Sequence, residues 1–122
     1  PVYYLQYAHA RIKSILRKAD ETGIRLSAEN LHLLNHDSEI ALIKSLEQFP
    51  EAIEQATEQR EPHRVINFLN QLASDFTTFY HDCRIIGVEK ELSEARTLLA
   101  ATVAGTLASG LAILGIDAPD NM

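Results

Sequence analysis

The sequence predicts an all-α protein, an antiparallel bundle of about five helices. Three observations predict it. Apolar residues recur at intervals of three and four through most of the chain, the repeat of one face of a helix. No stretch shows the strict apolar–polar alternation of a half-buried strand. Gly23, Pro50, Pro62, Gly87 and Gly115 break the periodic stretches and leave connections short enough to join antiparallel neighbours. The 122 residues, 46% of them hydrophobic, form a single domain (residues 1–122) that can bury a core without staples.

The first helix runs from Tyr3 to about Glu21, with Leu5, Ala8, Ile12, Ile15, Leu16 and Ala19 on its apolar face and Gly23 as its stop. Residues 24–36 connect it onward. They hold Leu26, Leu31, Leu33 and Leu34, too apolar for a solvated linker, and Ser27 is a candidate cap for a short turn. Asp37 is the expected N-cap of a second helix, through Ile40, Ile43 and Leu46 to about Gln48. Pro50 restarts the chain as a third helix to about Gln59, with Ile53 and Ala56 inward. Pro62 opens the longest helix, whose seam of Val65, Leu69, Leu72, Phe76, Phe79, Cys83 and Ile86 reaches Gly87. The last helix starts near Ser93 and passes Leu99, Val103, Leu107, Leu111 and Leu114 to Gly115. A tail, Ile116 to Met122, follows, stiffened by Pro119.

A formal net charge of −6 argues against a general nucleic-acid binder, whose affinity rests on phosphate contacts. The charge is uneven, however. Residues 1–18 carry Arg11, Lys13, Arg17 and Lys18 with no acid, while residues 47–61 carry Glu47, Glu51, Glu54, Glu58 and Glu61 against Arg60. A polyanion can approach one end only. Beside the apolar face of the first helix, Tyr4, Tyr7, Arg11 and Lys18 form a stripe of aromatic rings and cations, the chemistry that stacks unpaired bases and holds phosphates. The same spacing also suits half-buried core tyrosines beside a solvated arginine. Tyr80 and Arg84, one turn apart on the long helix, repeat the Tyr7–Arg11 pair.

Other candidate sites are weaker. Leu98 to Ile116 carry no charge and are long enough to span a membrane. Gly105, Gly110, Thr102, Thr106 and Ser109, without flanking clusters of Lys or Arg, favour a buried core helix and no membrane. His32 and His36 have ligand spacing, but no nearby Cys or third His completes a metal site. Cys83, the single cysteine, excludes an internal disulfide and fits a reducing compartment, the cytoplasm; on an apolar seam it is a small core residue. Glu51, Glu54 and Glu58 share a solvated face. No Gly-rich phosphate loop and no nucleophile–base grouping occurs, so no catalytic, cofactor-binding or metal residue is expected here. Pro1, leading straight into a helix, is the start expected of a piece of a longer protein.

Three stretches in order resemble one family. The opening YLQYAHARI, the middle EPHRVINFLNQLASDFTTFYHDCRIIG, and the end EARTLLA followed by GLAILGIDAPDNM are similar to the C-terminal anticodon-binding domain of arginyl-tRNA synthetases, named for the residues D-A-L-R. The resemblance covers essentially the whole chain. It departs at Ser93-Glu94-Ala95-Arg96, where only Ala-Arg of the namesake remains, and at Asp120-Asn121, where a Glu-Arg or Glu-Lys pair before Met is commoner.

The resemblance implies an all-helical domain of a class I aminoacyl-tRNA synthetase. The ligase joins arginine to tRNA(Arg) with ATP and Mg2+ in a catalytic domain absent from these residues, so this piece alone carries no catalysis. The implied partners are the tRNA(Arg) anticodon loop and the catalytic domain of the same chain, in a cytoplasmic monomer. The implied pocket for the unpaired middle base, a cytosine, is built by Tyr4, Tyr7 and Arg11, by Tyr80 and Arg84, and by Met122. Lys18 extends it from the first-helix stripe, and Arg84 serves there as a stacking plane or a cation. Two other readings compete: a helical protein–protein adaptor, and the similar domain of a cysteinyl enzyme.

Overall fold

Each periodic stretch closes as a helix, and polar groups of the chain itself finish the helix ends. The computed structural model describes residues 2–122. It contains α1 (Val2–Glu21), α2 (Asp37–Glu47), α3 (Phe49–Glu58), α4 (His63–Asp82) and α5 (Lys90–Ile113), with one 3-10 turn at Leu31–Leu33 and no strand among the described residues. The fold is all-α, as the periodicity requires.

One core joins all five helices. Leu5 and Ile12 of α1 meet Leu42 of α2, Leu69, Leu72 and Phe79 of α4, and Val103, Leu107 and Leu111 of α5. Full burial of such a side chain contributes about 1.5–3 kcal/mol, so the core supplies the main driving force. α4 lies between α2 and α3 on one side and α5 on the other, and α1 crosses α5 and α4. α5 is long and apolar enough to cross a membrane by length and composition. Its apolar residues nevertheless pack inward, and outside them Thr102 and Thr106 return their hydroxyls to helix carbonyls. Gly110 sets the depth of that packing, because a Cβ there would lie 2.6 Å from Leu69 Cδ2.

α1 and α5 both stop in the same way. Gly23 (φ 85°) and Gly115 (φ 73°) take the left-handed conformation, and the next amides, of Ile24 and Ile116, reach back to Ala19 and Leu111.

Several boundaries differ from expectation. His36, not Asp37, is the N-cap of α2. Its Nδ1 accepts from the Ser38 amide at 3.0 Å while Glu39 Oε1 accepts from the His36 amide at 2.9 Å, a capping box closed by imidazole. Ser27 accepts from the Glu29 amide and so closes a turn of its own, while the 3-10 turn has no side-chain cap. α5 begins at Lys90, one turn before Ser93, with Glu89 as N-cap.

The largest correction concerns α4. It ends at Asp82, and Cys83 is extended (φ −127°, ψ 121°) rather than helical. Beyond it Cys83 and Ile85 are buried and Arg84 is exposed, a period of two in place of the helical period, and Ile86 still packs half-buried against the core as expected. Arg84 therefore does not lie one helical turn from Tyr80. Arg96 holds this extended segment. Its Nη1 donates to the Arg84 carbonyl at 2.8 Å and its Nε to Glu39 Oε2 at 2.8 Å. Glu39 is 1% exposed, so the ion pair is buried and ties α5, the start of α2 and the segment after α4 together.

Candidate nucleic-acid interface

The apolar face of α1 is anchored in the core by Leu5 and Ile12, and this turns the neighbouring stripe outward. Tyr4, Tyr7 and Arg11 are exposed, Tyr7 at 55%. The tyrosines are thus surface rings rather than core residues. Arg11, Lys13 and Lys18 have no carboxylate within ion-pair distance among the described residues, leaving their charge free for an outside anion.

Opposite α1, an aromatic ladder climbs out of the core. Phe76 tilts against buried Phe79 at 5.7 Å, and Tyr80 stacks on Phe76 with centroids 6.0 Å apart and planes within 12°. The Arg11 guanidinium lies over the Tyr80 ring, 5.1 Å from its centroid. The expected Tyr–Arg pair therefore forms between α1 and α4, not along α4. A cation over a ring is worth about 0.5–1 kcal/mol at an exposed site, and here it draws the guanidinium of α1 towards the end of α4.

Three adjoining depressions run along this edge. Lys18, Tyr80, Arg84, Cys83 and Ile15 line one of about 410 Å³. Tyr7, Arg11, Arg17 and Met122 line a second of about 240 Å³. Tyr4, Tyr7, Arg11 and Phe76 line a small third. Every residue singled out from the sequence, Tyr4, Tyr7, Arg11, Lys18, Tyr80, Arg84 and Met122, thus lies on one of three walls that share Tyr7 and Arg11 or touch through Tyr80. Burial pushes the Cys83 thiol above its ordinary pKa, against the opposing pull of Arg96. No group of three or more His, Cys, Asp or Glu that could hold a metal ion occurs among the described residues.

The chain end is held on α1 by side chains outside the ring-and-cation stripe. Gln6 Nε2 donates to the Asp117 carbonyl at 2.9 Å, and His9 Nδ1 lies 3.0 Å from the Pro119 carbonyl. Arg17 reaches the Asp120 carbonyl at 3.3 Å and Asn121 Oδ1 at 3.1 Å. Arg17, which looked from sequence like another free cation, is committed to the chain end. His9 alone left a trace in the sequence. It stands four residues after Leu5 and three before Ile12, a polar group in the inward register that must find a partner.

Comparison with known proteins converges on one family. The model of the DALR anticodon binding domain matches residues 5–122. The chain is 50% identical over 123 residues to the arginine–tRNA ligase of Salinibacter ruber and 42% identical over 125 residues to that of Carboxydothermus hydrogenoformans. Each match takes in 100% of this chain but only 22% of the relative's length. Among solved structures, the arginyl-tRNA synthetase of Thermus thermophilus superposes with a TM-score of 0.80 at 37% identity, over 98% of this chain and 21% of that one. A putative arginyl-tRNA synthetase from Campylobacter jejuni superposes with a TM-score of 0.84 at 28% identity, over 100% of this chain and 26% of its own. With the five-helix bundle, its ring-and-cation edge and a family match that reaches the last residue, this chain belongs to the DALR anticodon binding domain family.

Proposed function

We propose that this chain receives the anticodon loop of tRNA(Arg) within an arginine–tRNA ligase, holding the tRNA while another domain of the intact enzyme attaches arginine with ATP and Mg2+. The observation that carries the proposal is the meeting of α1, the end of α4 and the chain terminus around Arg11, with Tyr7 and Met122 on one side and Tyr80 on the other. An unpaired base splayed from a loop needs a plane to lie on and partners for its edge. Tyr4 and Tyr7 offer exposed rings, and Arg11 offers a planar guanidinium.

The middle base of the loop, cytosine, presents two acceptors, O2 and N3, beside one amino donor. Arg11 only donates and suits the two acceptors, while the tail backbone lining the same depression has carbonyls that can accept from the amino group. Uracil would set its O4 acceptor against the tail carbonyls. Lys18 and Arg84 lie further along and suit the flanking phosphates, with the Tyr80 ring beneath the Arg11 guanidinium.

Met122 provides the test. Its side chain is 52% exposed, so replacement by Ala will leave the unfolding temperature nearly unchanged. Binding of a tRNA(Arg) anticodon stem-loop will fall by about fivefold, on the order of 1 kcal/mol of apolar burial. The loss will be smaller for a stem-loop whose middle cytosine is replaced, because that base does not fill the depression. Equal losses for both stem-loops would remove Met122 from the base pocket.

A further inference from the structure

Gln6, His9 and Arg17 do work that the base-binding residues cannot do for themselves. Their four contacts run in register, residue 6 to 117, 9 to 119, and 17 to 120 and 121. The tail therefore lies along α1 in the same direction as the helix. The tail follows the helix as irregular backbone and bends at Asp120, the residue whose carbonyl Arg17 reaches. Pro119 biases Ala118 towards extended backbone. Ala118 and Ile116 rest on the core beneath.

The three anchors differ in what they hold. Gln6 and His9 reach backbone carbonyls, which any residue at 117 or 119 supplies. Because a carbonyl only accepts, the His9 Nδ1 carries the hydrogen and donates it. His9 is 4% exposed and cannot touch RNA. Arg17 alone holds a side chain, Asn121, the residue immediately before Met122. The Asp120-Asn121 departure from the commoner family ending thus removes a charged tail side chain and supplies an acceptor for Arg17 in its place.

We infer that Gln6, His9 and Arg17 form a clamp that fixes the C-terminal tail on α1 and so presents Met122 beside Tyr7 and Arg11. They are positioning residues for the anticodon-loop pocket. The inference rests on the proposed function for its consequence in binding, but not for the clamp itself, which can be observed without RNA.

The test uses Met122 as its own reporter, since it is the single methionine of the 122 residues. Labelling its methyl group with 13C gives one signal, shifted from the free-chain position while the methyl is held near the Tyr7 ring. Asn and Leu are nearly the same size, but only Asn keeps a donor near the place of Nδ1. His9→Leu will move the methyl signal to the free-chain position and weaken binding of the native stem-loop about fivefold, the measure of one net hydrogen bond. His9→Asn will retain both. Because His9 is buried, the double variant Gln6→Leu/Arg17→Gln, at one half-buried and one exposed position, is the second arm, and it will release the methyl signal with the fold intact. An unmoved signal in both His9→Leu and the double variant would overturn the clamp, as would His9→Asn behaving like His9→Leu. A released signal with unchanged stem-loop binding would leave the clamp standing and overturn the pocket assignment of Met122.

Discussion

Replacing Arg96 by Met will destabilise the chain by about 3–5 kcal/mol, the usual result of stripping one partner from a buried ion pair. Glu39 is the reason. Its side chain is fully buried and keeps only the His36 amide as a donor once the guanidinium is gone. The Arg84 carbonyl loses its donor as well, so the extended segment after α4 loosens. A typical domain has only about 5–15 kcal/mol in total, so the loss will be plain in urea denaturation. Lysine will not restore it, because a single ammonium group cannot serve a carboxylate and a carbonyl with the fork of a guanidinium. The double variant Glu39→Met/Arg96→Met will recover much of the loss, since no charge is then left buried. A loss below about 1 kcal/mol for Arg96→Met would show that water reaches Glu39 and that the ion pair is not what holds the segment.

Tyr80→Ala carries the second largest effect and bears on binding rather than folding. The ring is 38% exposed, so its removal costs folding less than loss of a buried ring, although it uncovers the face of Phe76 on which it stacks. It does remove the surface over which the Arg11 guanidinium is held. Stem-loop affinity will fall by about 1–3 kcal/mol, the range for loss of an aromatic platform in single-strand binding. Tyr80→Phe keeps the ring, the stack on Phe76 and the cation above it, and will bind within about twofold of the parent on the scale where 1.4 kcal/mol is tenfold. Should Phe fail as badly as Ala, the hydroxyl rather than the ring makes the contact.

How much of this was legible from sequence depended on whether the information was local. The helices were legible because apolar spacing is a property of one segment. The ends of α1 and α5 were legible because Gly23 and Gly115 can take the left-handed conformation without strain. The end of α4 was not. Cys83, Ile85 and Ile86 fit either a helical seam or an extended strand-like passage, and the choice is made by Arg96 pulling on the Arg84 carbonyl from another helix. The α2 cap was missed by one residue because an imidazole, not a carboxylate, supplies the acceptor.

The candidate site shows the same division. Tyr4, Tyr7 and Arg11 sit on one flank of one helix, so the sequence displayed them together. That Tyr80 pairs with Arg11 rather than Arg84 is a fact about two helices crossing, and spacing along either one could not contain it. Gln6, Arg17 and the tail are separated by more than a hundred residues of chain, and only His9 left a polar residue out of place to mark their meeting.

The most direct test of the account is the affinity of the unaltered chain for two tRNA(Arg) anticodon stem-loops at one salt concentration, one native and one with uracil at the middle position. A polar edge left without partners costs about 1–3 kcal/mol, so the native stem-loop will bind roughly 5- to 150-fold more tightly. Equal affinity for the two would contradict the account, because it would mean that the rings and cations of α1 hold only backbone and that no base is read at Arg11 and Met122.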